Sequence, residues 1–366
     1  LKIKIVFVMS TLGTGGAERV ISNILKYIDR NIFDVSLIIL LDDSNDYIKH
    51  ISQDITLINL GHKRTRTSIV DLIKTLRKLE PEIVFSSLRG VSLILSLIKP
   101  LLKAKTKFIF REENTPSISI KDTSTPNLYN LYYKTLYRKA DLVICQSEFM
   151  KNDLVKEYSF PLDKTLRIYN PVDFSWIEEM NKITINPFKN PEKKNVIVVG
   201  RMANQKGIDI LLKSILKNEK KILKHDVMLH FLGDGELLNE YKNMAKKLKI
   251  SDYVEFVGRQ ENPFQWMKYS DLFILSSRYE GLPNSLLEAA ASNCEIITSN
   301  HPGGTREIMK LIDREEFIVD ELDWNEKWFS ERQKPINKLN LIDNFEAKRI
   351  VKEYERAFKL VYNSKK

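Results

Sequence analysis

Apolar residues along this chain fall into two alternating kinds of run. Short runs rich in β-branched and aromatic side chains predict strands over 3–9, 33–41, 55–60, 82–87, 107–111, 141–146 and 165–169. Longer stretches with apolar positions at helical spacing predict helices over 16–29, 68–79, 90–103, 127–139 and 147–157. The pattern breaks after Asn170-Pro-Val-Asp173 into a polar stretch from Asn181 to Lys194, rich in Lys, Asn and Pro, and then restarts. The second set of strands is expected at 195–199, 227–232, 253–257, 271–275 and 294–298, with helices at 207–217, 236–248, 263–269, 284–292 and 304–312. Strands that alternate with helices imply parallel sheets covered on both faces. The expected fold is therefore α/β: two tandem doubly wound, Rossmann-like parallel-sheet domains. The first covers 1–170, a linker covers 171–194, and the second domain covers 195–344. The segment 345–366 opens as an amphipathic helix from Phe345 to Tyr362, whereas 320–344 has no clear pattern.

A length of 366 residues and an apolar content of 43% suffice for a core in each domain. No apolar run approaches the length of a membrane span. The basic, apolar opening from Leu1 to Val8 is too short for a signal peptide and leads into a glycine loop, so a first strand is expected there. Cys145 and Cys294 stand alone, one in each domain, which fits a reducing cytoplasm. The net charge of +10 is uneven: residues 1–170 hold 26 Lys and Arg against 18 Asp and Glu, and the remainder holds 32 against 30. A basic first domain suits a phosphorylated substrate or an anionic membrane surface. A composition that merely favours solubility explains the charge equally well. Two readings also apply to residues 91–102, nearly apolar on all sides and followed by Lys103, Lys105 and Lys107: a buried core helix, or a peripheral membrane surface.

The chemistry concentrates at loops that follow strands. Glu280-Gly-Leu-Pro-Asn-Ser-Leu-Leu-Glu288 places two carboxylates eight positions apart across a Gly-x-Pro turn, between the strand Leu272–Leu275 and a helix. A helix start attracts anions, and a carboxylate on either side accepts hydrogen bonds from sugar hydroxyls. A nucleotide diphospho-sugar offers both groups. Gly200-Arg-Met-Ala-Asn-Gln-Lys-Gly207 brackets a short loop with Arg201 and Lys206, two cations suited to a diphosphate. Gly13-Thr-Gly-Gly-Ala-Glu-Arg19 opens the first helix but matches neither the dinucleotide fingerprint nor a P-loop. Gly233-Asp-Gly235 and Phe256-Val-Gly-Arg259 end strands in glycine turns able to line a base pocket. No Cys cluster, His-x-x-x-His or Asp-x-Asp occurs, so no metal site is expected. For each motif the plain alternative is a capped turn with solvated side chains.

Taken together and in this order, the motifs resemble the large family of retaining, nucleotide-sugar-dependent glycosyltransferases with the GT-B fold, the Glu-x7-Glu enzymes of bacterial polysaccharide and glycolipid synthesis. The resemblance runs from the Gly-Gly-Ala-Glu loop through Ser147-Glu148 and Asn170-Pro-Val-Asp173 to Glu280 and Glu288. It implies that Gly15 and Gly16 face the donor phosphates, that Arg201 and Lys206 neutralise the leaving diphosphate, and that Glu288 binds the ribose. It implies that Glu280, with backbone amides near Asn284 and Ser285, contacts the transferred sugar, while Gly258 and Arg259 hold the base. The last helix is expected to pack on the first domain. One departure stands out: where many relatives carry His after the fifth strand, this chain has Arg111-Glu-Glu-Asn114. Glu113 stands in the His position, and Arg111 and Asn114 are further acceptor-side candidates.

The reading that follows is a cytoplasmic, metal-independent hexosyltransferase, without cofactor and without nucleic-acid partner, that uses a nucleotide sugar of UDP type. Its acceptor would be a lipid-linked or cell-surface glycan, with an anionic membrane surface as a possible partner. Two alternatives remain at this stage: a sugar-nucleotide epimerase of the same fold, and a non-catalytic subunit that binds sugar nucleotides or glycans.

Overall fold

The computed structural model describes the chain apart from residues 1, 14, 44, 45, 331–333, 365 and 366. The chain divides into two units, Leu1–Val172 with Phe345–Lys366, and Asp173–Asn344.

The first unit is built on seven strands: β1 (Ile3–Met9), β2 (Phe33–Leu41), β3 (Thr56–His62), β4 (Ile83–Ser86), β5 (Lys107–Arg111), β6 (Leu142–Cys145) and β7 (Thr165–Arg167). They pair in the order β3-β2-β1-β4-β5-β6-β7, with every neighbour parallel. Runs such as Ile5-Val-Phe-Val-Met9 are wholly buried because helices cover both faces. The second unit repeats the plan with β8 (Lys194–Val199), β9 (Val227–Leu232), β10 (Val254–Gly258), β11 (Leu272–Leu275), β12 (Ile296–Ser299) and β13 (Ile318–Val319). Their order is β10-β9-β8-β11-β12-β13. In each sheet the winding reverses beside the first strand, between β1 and β4 and between β8 and β11. Open α/β sheets bind ligands at such points, outside the carboxyl ends of the strands.

The C-terminal helix Ala347–Asn363 belongs to the first unit, as expected. Phe358 meets Phe7, Phe33 and Phe85 with ring centroids 6.2, 5.9 and 5.6 Å apart. Glu355 Oε1 accepts a hydrogen bond from the Asp29 amide at 2.7 Å.

Several helices differ from the sequence pattern for identifiable reasons. The run expected over 90–103 is a helix only over Arg89–Ile98 and continues as a 3-10 turn, Lys99–Leu101. Pro100 has no amide hydrogen and cannot continue the α ladder. Val91, Leu95 and Ile98 join the core, so the core reading holds for one face, while Leu97 and Leu101 remain 53% and 50% exposed. The helix expected over 127–139 breaks at Thr135 into Pro126–Lys134 and a 3-10 turn, Leu136–Lys139. The break turns Tyr137 inward against Tyr132 and Tyr133, at ring centroids of 5.2 and 4.8 Å. Within 171–194 a helix forms over Phe174–Met180 because the Asp173 carboxylate caps it, accepting from the Trp176 amide at 3.1 Å. In the unpatterned stretch 320–344, Trp324 is buried and donates to Ser214 Oγ at 3.0 Å. Residues 331–333 of that stretch lie outside the described residues.

Candidate active site

The second sheet's carboxyl edge carries most of the residues singled out by their motifs. After β8 the chain makes a 3-10 turn, Asn204–Lys206, and enters the helix Ile208–Lys217 through Gly207. Gly207 has φ +61°, and a Cβ there would lie 2.1 Å from the Ser276 carbonyl oxygen. Only glycine lets this turn sit against the exit of β11. The same device recurs after β12. A Cβ on Gly303, φ +132°, would lie 2.1 Å from the Glu280 carbonyl oxygen. The Glu280 amide donates to the Pro302 carbonyl at 3.0 Å, and the Gly304 amide to that of Gly281 at 2.8 Å. Three loops distant in sequence are thus locked backbone to backbone around Glu280.

Glu280 is 5% exposed and its carboxylate is held on both oxygens. Oε1 accepts from Lys206 Nζ at 2.7 Å and from Ser277 Oγ at 2.6 Å; Oε2 accepts from Gln205 Nε2 at 3.2 Å. Two of the predicted residues, Glu280 and Lys206, therefore form one ion pair, with a half-buried ammonium against a buried carboxylate. The charge-assisted bonds fix the carboxylate in place. Gln205 and Ser277 were not predicted; the signal was their position, each directly beside or close to a predicted residue. His301 was also missed. Its Nδ1 faces Ser299 Oγ at 3.1 Å and its Nε2 faces Thr305 Oγ1 at 2.7 Å. Burial pushes its pKa below the ordinary value, against the pull of Glu280 and with the help of Lys206.

Glu288 lies on the second turn of the helix Asn284–Ala291 and is 6% exposed. Asn284 and Ser285, four and three positions earlier, share its side of the helix. Pro283 is the N-cap, and its ring makes no capping hydrogen bond. Arg201 is exposed just after β8. Gly258 ends β10 with φ +80° at a register shift, its carbonyl accepting from the Gly233 amide at 2.9 Å, and Arg259 follows it exposed.

In the first unit, Gly15 is the N-cap of the helix Gly16–Tyr27; both glycines are exposed, and the helix start has no side-chain cap. Thr14 of that motif lies outside the described residues. Arg111 is 2% exposed at the end of β5. Its Nε donates to Tyr354 Oη at 3.1 Å, one terminal nitrogen to Ser87 Oγ at 2.8 Å and the other to Asn170 Oδ1 at 2.6 Å. A guanidinium engaged on all three nitrogens below the surface supports the loop rather than reaching out of it. Arg111, expected on the acceptor side, is thus held by protein partners at the base of the turn after β5. Asn170 in turn donates to Gln146 at 2.9 Å, and Gln146 to the Glu112 carbonyl at 2.7 Å.

Glu113 and Asn114 are half-buried at the turn after β5. Ser87 Oγ donates to Glu113 Oε1 at 3.3 Å. Removal from water pushes the Glu113 carboxyl up to about 8; Arg111 opposes this, while Glu18 and Glu112 add to it. Glu112 points the other way, into the core, and accepts from Tyr133 Oη at 2.9 Å and from Tyr137 Oη. Sequence alone did not separate these adjacent acids.

Among the described residues, no group of three or more His, Cys, Asp or Glu could hold a metal ion, and no helix is long and apolar enough to cross a membrane.

The family model "Glycosyltransferase Family 4" matches residues 14–176, and "Glycosyl transferases group 1" matches residues 180–327. The chain is similar to an uncharacterized glycosyltransferase of Methanocaldococcus jannaschii, 29% identical over 248 residues, which is 65% of this chain and 60% of that protein. It is also similar to the N-acetylgalactosamine-N,N'-diacetylbacillosaminyl-diphospho-undecaprenol 4-alpha-N-acetylgalactosaminyltransferase of Campylobacter jejuni. That match is 28% identical over 315 residues, 83% of this chain and 82% of the relative. In fold, the chain resembles the crystal structure of Anabaena HepE in complex with UDP and glucose, with a TM-score of 0.76, 16% identity, and 98% and 99% of the two chains covered. With a glycosyltransferase family model matched in each unit and a doubly wound parallel sheet in both, the chain belongs to the GT-B glycosyltransferases and is an enzyme of that class.

Proposed function

We propose that the protein is a retaining, metal-independent glycosyltransferase. It moves a hexose or N-acetylhexosamine from a UDP-sugar to a hydroxyl of a lipid-linked or cell-surface glycan. The observation that carries this reading is the buried Glu280 carboxylate, fixed by Lys206, Gln205 and Ser277 close in sequence to Glu288. Lys206 Nζ has three hydrogens, so it can keep Glu280 and still donate to a phosphate oxygen. Arg201 adds a second cation, and the start of the helix Asn284–Ala291 adds its dipole. Glu280 then accepts hydroxyls of the transferred sugar and Glu288 those of the ribose.

In the proposed step the bond from the sugar's anomeric carbon to the diphosphate oxygen breaks. The acceptor oxygen bonds that carbon on the same face, and the acceptor's proton passes to the departing diphosphate. Positive charge fixed where the leaving group gains negative charge lowers the barrier. In the first unit, Glu113 and Asn114 serve the acceptor. The lipid-linked acceptor of the C. jejuni relative supports that choice of acceptor class.

The first unit also carries Leu97, Leu101, Leu128 and Leu131, each at least half exposed, in segments that include Lys103, Lys105 and Lys134. Peripheral attachment to anionic lipid fits this mixture, at about 1 kcal/mol per cation near the surface. The test is a panel of nucleotide sugars with undecaprenyl-diphosphate glycans as acceptors, run with and without EDTA and with neutral or anionic vesicles. Transfer from a UDP-sugar that survives the chelator, with inherited anomeric configuration, is expected. A product that is an altered free nucleotide sugar, or an inverted linkage, overturns the reading.

A further inference from the structure

The turn that carries Lys206 is held by residues outside the sequence motifs of the site. Its three successive carbonyls are each bound by the segment after β11. The Asn204 carbonyl accepts from an Arg278 guanidinium nitrogen at 2.8 Å, that of Gln205 from the Arg278 amide at 2.7 Å, and that of Lys206 from Ser276 Oγ at 2.8 Å. Arg278 is itself anchored by Asp209 on the first turn of the helix Ile208–Lys217, through two parallel bonds of 2.7 Å. A planar fork of this kind fixes direction as well as distance. The pair is partly buried, with side chains 31% and 24% exposed. The Arg278 bonds hold the Asp209 carboxyl below its ordinary pKa, so the pair stays charged through neutral pH.

The geometry points to Arg278, anchored by Asp209, as a positioning residue that sets where Lys206 and Gln205 stand relative to Glu280. Arg278 makes no contact with a substrate in this role. It ties the loop after β8 to the loop after β11 across the second sheet's switch point, so the ammonium and the carboxylate it pairs with move as one body. Lysine cannot replace it, because an ammonium does not present a fork to Asp209 while also reaching the Asn204 carbonyl.

This inference rests on the reading of Lys206 as the diphosphate partner, and a double-mutant cycle separates the two. The proteins are wild type, Lys206→Ala, Arg278→Ala, Asp209→Asn, and the double variants that combine Lys206→Ala with each of the other two. Each is measured for turnover with the donor that the wild type uses, for UDP affinity by calorimetry, and for melting temperature. Because small displacements of a charged group are costly, Arg278→Ala should lower kcat by roughly tenfold to a hundredfold, with a smaller change in donor KM. Asp209→Asn should give a weaker loss of the same kind. In the Lys206→Ala background either change should add less than about twofold, since what it positions is gone. Full multiplication of the effects, or wild-type turnover in both Arg278→Ala and Asp209→Asn, overturns the inference while leaving Lys206 its role. A Lys206→Ala enzyme of normal turnover removes the diphosphate reading first, and this inference with it. Should Arg278→Ala fail to fold, the Asp209→Asn cycle decides alone.

Discussion

Each domain presents a carboxylate at the carboxyl edge of its sheet, and the two are held in opposite ways. Glu280 in the second domain receives three side-chain donors, one of them an ammonium, and lies 5% exposed. Glu113 in the first domain meets Ser87 Oγ at a long 3.3 Å, and its pKa is driven up to about 8. The cation nearest to it in sequence, Arg111, spends its guanidinium on Tyr354, Ser87 and Asn170. A carboxylate held by donors on both oxygens is fixed in direction, able to orient a sugar. A carboxyl taken out of water with one long hydrogen bond is pushed up to about 8, so its hydrogen bonding to a substrate depends on its protonation. The two edges thus differ in kind: a carboxylate fixed by donors in one domain and a carboxyl of raised pKa in the other.

The largest test of this contrast removes the fixed carboxylate. Glu280→Ala leaves Lys206 half-buried without its carboxylate and takes away the proposed sugar contact. Loss of one such group should lower turnover by about a hundredfold to a thousandfold. Binding of free UDP should survive, because UDP has no sugar at that position. Glu288→Ala should show the reverse, with UDP affinity down and turnover at saturation less affected. Arg201 is exposed, so Arg201→Ala should cost less than Lys206→Ala. Calorimetry with UDP and steady-state kinetics on the four variants read all of this. UDP binding lost in Glu280→Ala and retained in Glu288→Ala would reverse the two roles.

The contrast also explains how far the sequence could be read. Buried parallel strands announce themselves as apolar runs, so both sheets were legible, with the exception of β13, whose two residues are too few for any pattern. The motifs that bring Glu280, Glu288 and Lys206 to the second sheet's edge were legible as well. Residues that act by closing a distance in sequence were not. Arg278 finds Asp209 across 69 positions, and Arg111 finds Tyr354 across 243. Neither spacing leaves a trace in a local window. The partners of Arg111 stayed hidden for the same reason: its motif places it beside Glu112 and Glu113, while its bonds run to Ser87, Asn170 and Tyr354. Helix ends failed where tertiary packing overrode periodicity, as at Thr135, where three buried tyrosines bend the chain.

A second test addresses the carboxyl of raised pKa. If ionised Glu113 accepts a hydrogen bond from an acceptor hydroxyl, kcat/KM for the acceptor should rise with pH through about 8 and then level. Glu113→Gln should flatten that limb and lower the high-pH plateau by roughly tenfold, the worth of one charge-assisted bond. The stability effect has the opposite sign. A carboxyl whose pKa rises on folding binds its proton more tightly in the native state, so stability falls as pH rises from the ordinary carboxylate range through about 8. Glu113→Gln should therefore be more stable than wild type at pH 9 and no more stable at pH 4, as read by denaturant titration. An unchanged acceptor profile in Glu113→Gln leaves the first-domain contact to Asn114.

The smallest expected effect comes from the C-terminal helix. Tyr354 is fully buried against Phe85 and Phe358, and its hydroxyl accepts from Arg111 Nε at 3.1 Å. Tyr354→Phe keeps the ring and leaves one buried guanidinium N–H without its partner, which should cost about 1–3 kcal/mol of stability. The remaining Arg111 bonds to Ser87 and Asn170 should hold the turn after β5 in place, so turnover should change by less than about threefold. The informative quantity is the midpoint of the pH profile. Arg111 draws the Glu113 pKa down against burial. A guanidinium that loosens from Tyr354 and moves away from Glu113 raises that midpoint; one that stays put leaves it unchanged. A raised midpoint with near-normal turnover shows that a helix from the far end of the chain helps set the charge of the first domain's edge. A melting temperature equal to wild type shows instead that Arg111 finds another acceptor, and that Tyr354 serves only to fill the core.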